Sequence, residues 1–134
     1  MDQKKFKSLL SIARSMQMID SDRSYFWRGF RRGLQRNYHG ENFGTAEEHE
    51  RWMHSTLSKC RKQVQQGYRA GFYYDQLKID GPGDIRPLRD LLGLSVSDLA
   101  AMAGVSPRTV EGWEQGRPMS RLAIRQLRRE LLIG

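Results

Sequence analysis

The residue types able to do chemistry fall into two sets. His49, His54 and Cys60, with His39 nearby, are the clustered metal-type ligands. Histidines five apart stand about 140° apart around a helix, and the step to Cys60 fits no zinc pattern, so no metal site is expected. No serine, cysteine or carboxylate stands in a nucleophile–base arrangement, and no glycine-rich loop resembles a phosphate cradle. The expectation is a chain with no catalytic residues and no cofactor, not an enzyme. The second set is Tyr25, Phe26, Trp27, Phe30 and Tyr38, interleaved with Arg28, Arg31, Arg32 and Arg36. Such interleaving suits stacking on bases beside cations that neutralise phosphate. It also suits a helix burying its aromatics in a core, the reading their helical spacing favours.

Charge points the same way as the arginines. A formal net charge of +8 over 134 residues favours polyanionic partners, nucleic acid ahead of an anionic membrane surface. The excess is uneven. Residues 1–83 hold 15 Lys+Arg against 9 Asp+Glu, and residues 84–134 hold 8 against 6. At 38% hydrophobic and 28% charged, the composition is that of a folded chain. There is no apolar run of about 18 residues, so no membrane span is expected. The N-terminus lacks an uninterrupted apolar stretch and a small-residue cleavage site, arguing against a secretory signal. One cysteine excludes an internal disulfide, in keeping with a cytoplasmic protein.

The elements that must position these residues read as all-α, since no strand alternation of any length occurs. Asp80-Gly-Pro-Gly-Asp84 is the clearest break, with glycines free to take positive φ around a proline that cannot continue a helix. It separates a helical region, 1–80, from a second region, 81–134. In the first, Phe6, Leu9, Leu10, Ala13 and Met16 predict a helix over about 4–18. Asp20–Ser24 offers N-caps for a second helix over about 24–38. Thr45-Ala-Glu-Glu48 forms a capping box for a third, reaching at least Met53, and a fourth reaches Tyr74 after a break near Ser55 or Ser58. Trp27–Leu34 and Gln65–Phe72 echo one another: two glycines four apart, an aromatic after the first, an arginine two after it. Glycine inside a helix costs about 1 kcal/mol relative to alanine. Gly29, Gly33, Gly67 and Gly71 therefore imply close helix packing, of these two helices on each other or on a second copy.

From 84 onward several signals agree. A helix over about 84–92 carries Ile85, Leu88, Leu91 and Leu92 and stops at Gly93. Ser95 with Asp98 caps the next, which buries Leu99, Ala100 and Ala103 and ends at Gly104. Ser106-Pro107 opens another over about 107–115, burying Val110 and Trp113 and ending at Gly116. Ala100 precedes Gly104 by four and Val110 by ten. A helix-turn-helix needs a small residue where its helices cross, a glycine in the turn and a branched apolar residue facing inward from the second helix.

With those residues in hand, the segment resembles the Cro/CI-repressor (XRE) family of helix-turn-helix proteins. The family's run stands here as Leu94-Ser95, Leu99-Ala100, Gly104-Val105-Ser106, Thr109-Val110, Trp113-Glu114 and Gly116. The resemblance implies that Arg89 pairs with Glu114 structurally. It implies that Arg108 reads base edges in the major groove of double-stranded DNA, with Pro107, Thr109, Glu111 and Gly112 in the other groove-facing positions. Ser95, Val96, Ser106 and Arg117 are placed near phosphates. Pro107 and Gly112 bring no hydrogen-bonding side chain, so direct readout is sparse. After Pro118 a last helix carries Leu122, Ile124, Leu127, Leu131 and Leu132. Its Arg121, Arg125, Arg128 and Arg129 either touch phosphate or face solvent.

Family domains usually add a fifth helix, so apolar surface here is left for the N-terminal region or a dimer partner. The functional expectation is a sequence-specific repressor binding an inverted repeat as a homodimer. An antitoxin-like chain whose residues 1–80 bind a partner protein, and an RNA-binding or architectural protein, are the alternatives.

Overall fold

The computed structural model describes residues 1–54 and 59–134, with eight α-helices and no strand among them. The sequence-predicted break near Ser55 or Ser58 lies outside the described residues. The chain divides into two compact units, Met1–Gln76 and Leu77–Gly134. No helix among the described residues is long and apolar enough to cross a membrane.

The first unit comprises α1 (Gln3–Ile19), α2 (Ser24–His39), α3 (Ala46–His54) and α4 (Lys59–Phe72). Asp2 caps α1, its carboxylate accepting from the Lys5 amide at 2.7 Å. Phe6, Leu9 and Ala13 then form the buried stripe. The linker to α2 departs from expectation: Ser21–Arg23 coils into a 3-10 turn, and α2 has no side-chain cap. Asp20 is taken up elsewhere, accepting from the Trp27 indole at 3.1 Å. Trp27 and Phe30 are fully buried and Phe26 nearly so. Their rings meet one another at 5.1–6.2 Å between centroids. These aromatics are core, and only Tyr25 among that set is exposed.

The glycine echo is the centre of this unit. A Cβ on Gly29 would lie 2.0 Å from the Val64 carbonyl oxygen, and one on Gly67 would lie 1.9 Å from that of Phe26. Gly33 and Gly71 face the Tyr68 and Phe30 carbonyls at 2.1 and 2.3 Å in the same sense. Along α2 the partners on α4 advance in step, so the two helices run parallel. The second motif repeats the first 38 positions on (29 to 67, 33 to 71), and the contacts obey the same shift (26 to 64, 30 to 68). The pair is thus related by a local pseudo-twofold, backbone against backbone. Asn37 Nδ2 adds a cross-helix bond to the Phe72 carbonyl at 3.1 Å. On the flank, Tyr68 is buried, its hydroxyl pKa pushed up to about 12 by desolvation. It lies 2.7 Å from His49 Nδ1. Burial, and secondarily the charge of Arg36, lower the His49 pKa, so a phenol O–H donating to neutral imidazole is the arrangement that fits.

The second unit comprises α5 (Ile85–Leu92), α6 (Val96–Ala103), α7 (Pro107–Glu114) and α8 (Arg121–Glu130). Contrary to expectation, the Asp80–Asp84 turn uses no positive φ: Gly81 is extended, and Pro82–Asp84 is a 3-10 turn. Asp84 stabilises it by accepting from the amides of Asp80 and Gly81 at 2.8 and 3.2 Å. Leu122 is also not in the core; it is 75% exposed. The buried register of the last segment is instead Ala123, Leu127 and Leu131, spaced by four. Leu132 has already left the helix, at φ 56.

Candidate nucleic-acid interface

The turn between α6 and α7 follows from three local features. Ser95 Oγ accepts from the Asp98 amide at 3.0 Å, and Asp98 Oδ2 accepts from the Ser95 amide at 3.0 Å, so α6 opens on a reciprocal capping box. At its other end Gly104 takes the left-handed conformation, φ 71 and ψ 32. The Val105 amide reaches the Ala100 carbonyl at 3.0 Å and the Gly104 amide reaches that of Ala101 at 3.3 Å, a Schellman stop. Two residues later Ser106 Oγ accepts from the Thr109 amide at 3.3 Å and Pro107 occupies the first turn of α7. A three-residue turn between capped helices fixes their angle without side chains in the way.

Inside the turn, Leu99, Ala100, Ala103, Val110 and Trp113 are all buried. Arg89 on α5 locks the end of α7: its Nε donates to Glu114 Oε1 at 2.6 Å and its Nη1 to the Leu94 carbonyl at 3.1 Å. The Glu114 side chain is 8% exposed, so this carboxylate depends on Arg89 for compensation. Arg86, which the sequence reading did not single out, stands 3.8 Å from the other carboxylate oxygen but is 70% exposed and a weak partner. Its place one helical turn before Arg89 was the available signal.

What α7 leaves outside is its N-terminal half. Ser106, Pro107, Arg108, Thr109 and Glu111 are exposed, while Val110, Gly112 and Trp113 are buried. Ser95 is exposed and Val96 half-buried at the start of α6. Arg108 makes no ion pair among the described residues. One of the sequence-predicted groove positions differs in the structure. Gly112 is buried because the Arg117 side chain crosses it, with Cδ 2.9 Å from where a Cβ would stand. Glycine is needed there to seat the arginine, which leaves Arg117 rather than Gly112 at the surface. The Thr109 hydroxyl lies 3.0 Å from Ser106 Oγ and is already engaged in the cap. On α8, Arg128 is not a free cation either: its Nε donates to the Ile79 carbonyl at 2.9 Å and its guanidinium pairs with Asp80. Arg121, Arg125 and Arg129 are exposed on that helix.

A compact trihelical core with one capped helix presenting a polar N-terminal half defines a helix-turn-helix, a DNA-binding fold. The comparison with family profiles agrees: residues 85–131 match HTH_3, the helix-turn-helix family, and this segment is a helix-turn-helix domain of XRE type. The match places a DNA-binding regulatory domain in the second unit. Comparisons with curated proteins and with solved structures give no match.

Proposed function

We propose that the chain is a sequence-specific transcriptional repressor that acts in the cytoplasm and occupies an inverted-repeat operator as a homodimer. The observation that carries this is the division of α7, polar and exposed from Ser106 to Glu111 except for the buried Val110 anchor. A helix presented in that way enters a major groove by its N-terminal end. Arg108 is assigned to guanine O6 and N7, with Pro107, Thr109 and Glu111 beside it. Because Pro107 and Gly112 bring no hydrogen-bonding side chain, base readout rests on few side chains and operator shape shares the specificity. Arg117 is assigned to phosphate, together with Ser95, Val96 and Ser106 near the helix N-termini. Leu122, apolar and 75% exposed, is assigned to the contact between copies.

Selection of the full chain on random duplex DNA tests the reading, with enrichment of a short inverted repeat expected. On the selected site Arg108→Ala should cost about 1–3 kcal/mol and relax the preference at one position of each half-site. Arg117→Ala should weaken all sequences alike and lower the salt slope by about one. Salt-sensitive binding without any enriched motif would overturn the proposal in favour of a non-specific nucleic-acid binder.

A further inference from the structure

The first unit holds a cleft of about 520 Å³ that no part of the DNA-binding reading uses. It is lined by Arg28 and Arg32 from α2, Arg51 and Trp52 from α3, and Arg61 from α4, with Tyr25 at its edge. Among the described residues, Glu48 is the one carboxylate on its wall, against four guanidinium groups. Cations lining one concavity raise its positive potential and draw anions to it. Arg28 and Arg51 are exposed and make no ion pair among the described residues. Arg32 is held as a fixed element: its guanidinium lies over the Trp52 ring at 4.8 Å and over Phe43 at 5.5 Å, with Glu48 at 3.8 Å. Its Nε is buried without any hydrogen-bond partner, as is that of Arg31 outside the cleft.

The shape and the remaining aromatic narrow the ligand. The volume is in the range of small-molecule sites, which extend from about 300 to 1,000 Å³. The faces of Trp52 are engaged by Arg32 and by Tyr68, whose ring stacks at 5.9 Å. Tyr25 is 43% exposed, unlike Phe26 and Trp27 beside it, and its ring packs on no other aromatic among the described residues. It offers a flat apolar face next to the arginines.

We propose that this cleft binds a nucleotide, its phosphates bridged by Arg28, Arg51 and Arg32 and its base stacked on Tyr25. The site belongs to the first unit and α7 to the second, and the cleft would give the regulator a small-molecule input. Isothermal titration of the full chain with ADP, GDP and sodium pyrophosphate, at about 0.15 M salt, tests it. A nucleotide should bind more tightly than pyrophosphate. Arg28→Ala/Arg51→Ala should weaken it by at least about tenfold, with charge-assisted bonds to phosphate lost. Tyr25→Ala should bring the nucleotide down to the level of pyrophosphate. All three substituted side chains lie at the surface, so an unchanged circular dichroism spectrum separates lost binding from lost fold. No heat with any ligand up to about 1 mM, or equal affinity in the arginine variant, overturns the site. Pyrophosphate binding as well as the nucleotides overturns the nucleotide assignment. A short single-stranded oligonucleotide binding the wild type more tightly than any nucleotide overturns the small-ligand reading.

Discussion

Replacing Gly67 with alanine gives the sharpest test of what holds the first unit together, because two explanations predict opposite signs. If Gly67 were an ordinary glycine in a helix, alanine would stabilise by about 1 kcal/mol through propensity alone. In the structure the new methyl would sit 1.9 Å from the Phe26 carbonyl oxygen and 3.0 Å from the Phe30 amide nitrogen. A comfortable carbon–oxygen contact is nearer 3.4 Å, so α2 and α4 must separate by more than about 1 Å. The obstacle is backbone in the middle of a helix, which cannot swing aside as a side chain would. Overpacking of this kind costs up to about 3 kcal/mol, and propensity returns about 1, for a net loss near 2 kcal/mol.

For a unit spanning Met1–Gln76, a loss of that size lowers the melting temperature by roughly 8–16 °C. Thermal unfolding of the full chain, followed by far-ultraviolet circular dichroism and the fluorescence of the fully buried Trp27, reads it. Gly29→Ala should behave alike, since its Cβ meets the Val64 carbonyl at 2.0 Å. Gly83→Ala is the control: an added Cβ there meets nothing within 4 Å, and the shift should stay within about 0.5 kcal/mol. A Gly67→Ala protein that melts at or above the wild-type temperature would refute the backbone-contact account outright.

Two further outcomes follow from single interactions. Arg89→Met should destabilise the second unit by about 3–5 kcal/mol, since it strands the nearly buried Glu114 carboxylate; adding Glu114→Gln should recover much of that loss, and a double variant no better than the single would argue against the pair. His49 has a native pKa below its unfolded value, through burial first and Arg36 second, with Glu50 opposing and His54 adding to the shift. The unfolded chain therefore takes up the extra proton: stability is present above about 6.5 and falls as pH drops below it toward the lower native value. The urea midpoint of the full chain should decrease between about pH 7.5 and about pH 5, and His49→Gln should flatten that decrease. An undiminished slope in the variant would show that other groups cause it.

The parts legible in the sequence are those specified by short-range chemistry. Ser95 with Asp98, Gly104 and Ser106-Pro107 each act on the backbone within a turn, so their meaning survives without knowledge of the rest of the chain. The glycine pairs were legible for a related reason: four missing side chains in two helices need a cause, and close approach is the common one. What spacing leaves open is which surface an element turns inward. Leu122 and Ala123 are equally plausible core residues in isolation, and packing of α8 through Ala123, Leu127 and Leu131 decides between them. Asp20 reads as a cap until Trp27 is seen to need an acceptor. The arginine cleft is legible only in part: the run holding Tyr25, Arg28 and Arg32 stands out in the sequence, but Arg51 and Arg61 join it only when three helices come together.

The same distinction bears on how the positive charge is used. Net charge invites the view that every arginine is available to a polyanion, but in the second unit two of eight are engaged internally and a third weakly. Arg89 and Arg86 face Glu114, and Arg128 is tied to Asp80 and the Ile79 carbonyl. Arg108, Arg117, Arg121, Arg125 and Arg129 remain for DNA, and only Arg108 lies on the exposed half of α7. Gly112 matters to that division although it has no side chain to offer. It lets Arg117 lie flat across the end of α7, and a larger residue there would displace the guanidinium. Gly112→Ala places a methyl 2.9 Å from Arg117 Cδ, the flexible part of that side chain. The fold should therefore tolerate the change, with a stability shift within about 0.5 kcal/mol. Operator affinity should still fall, uniformly across sequences, because a phosphate contact positions the protein without reading bases.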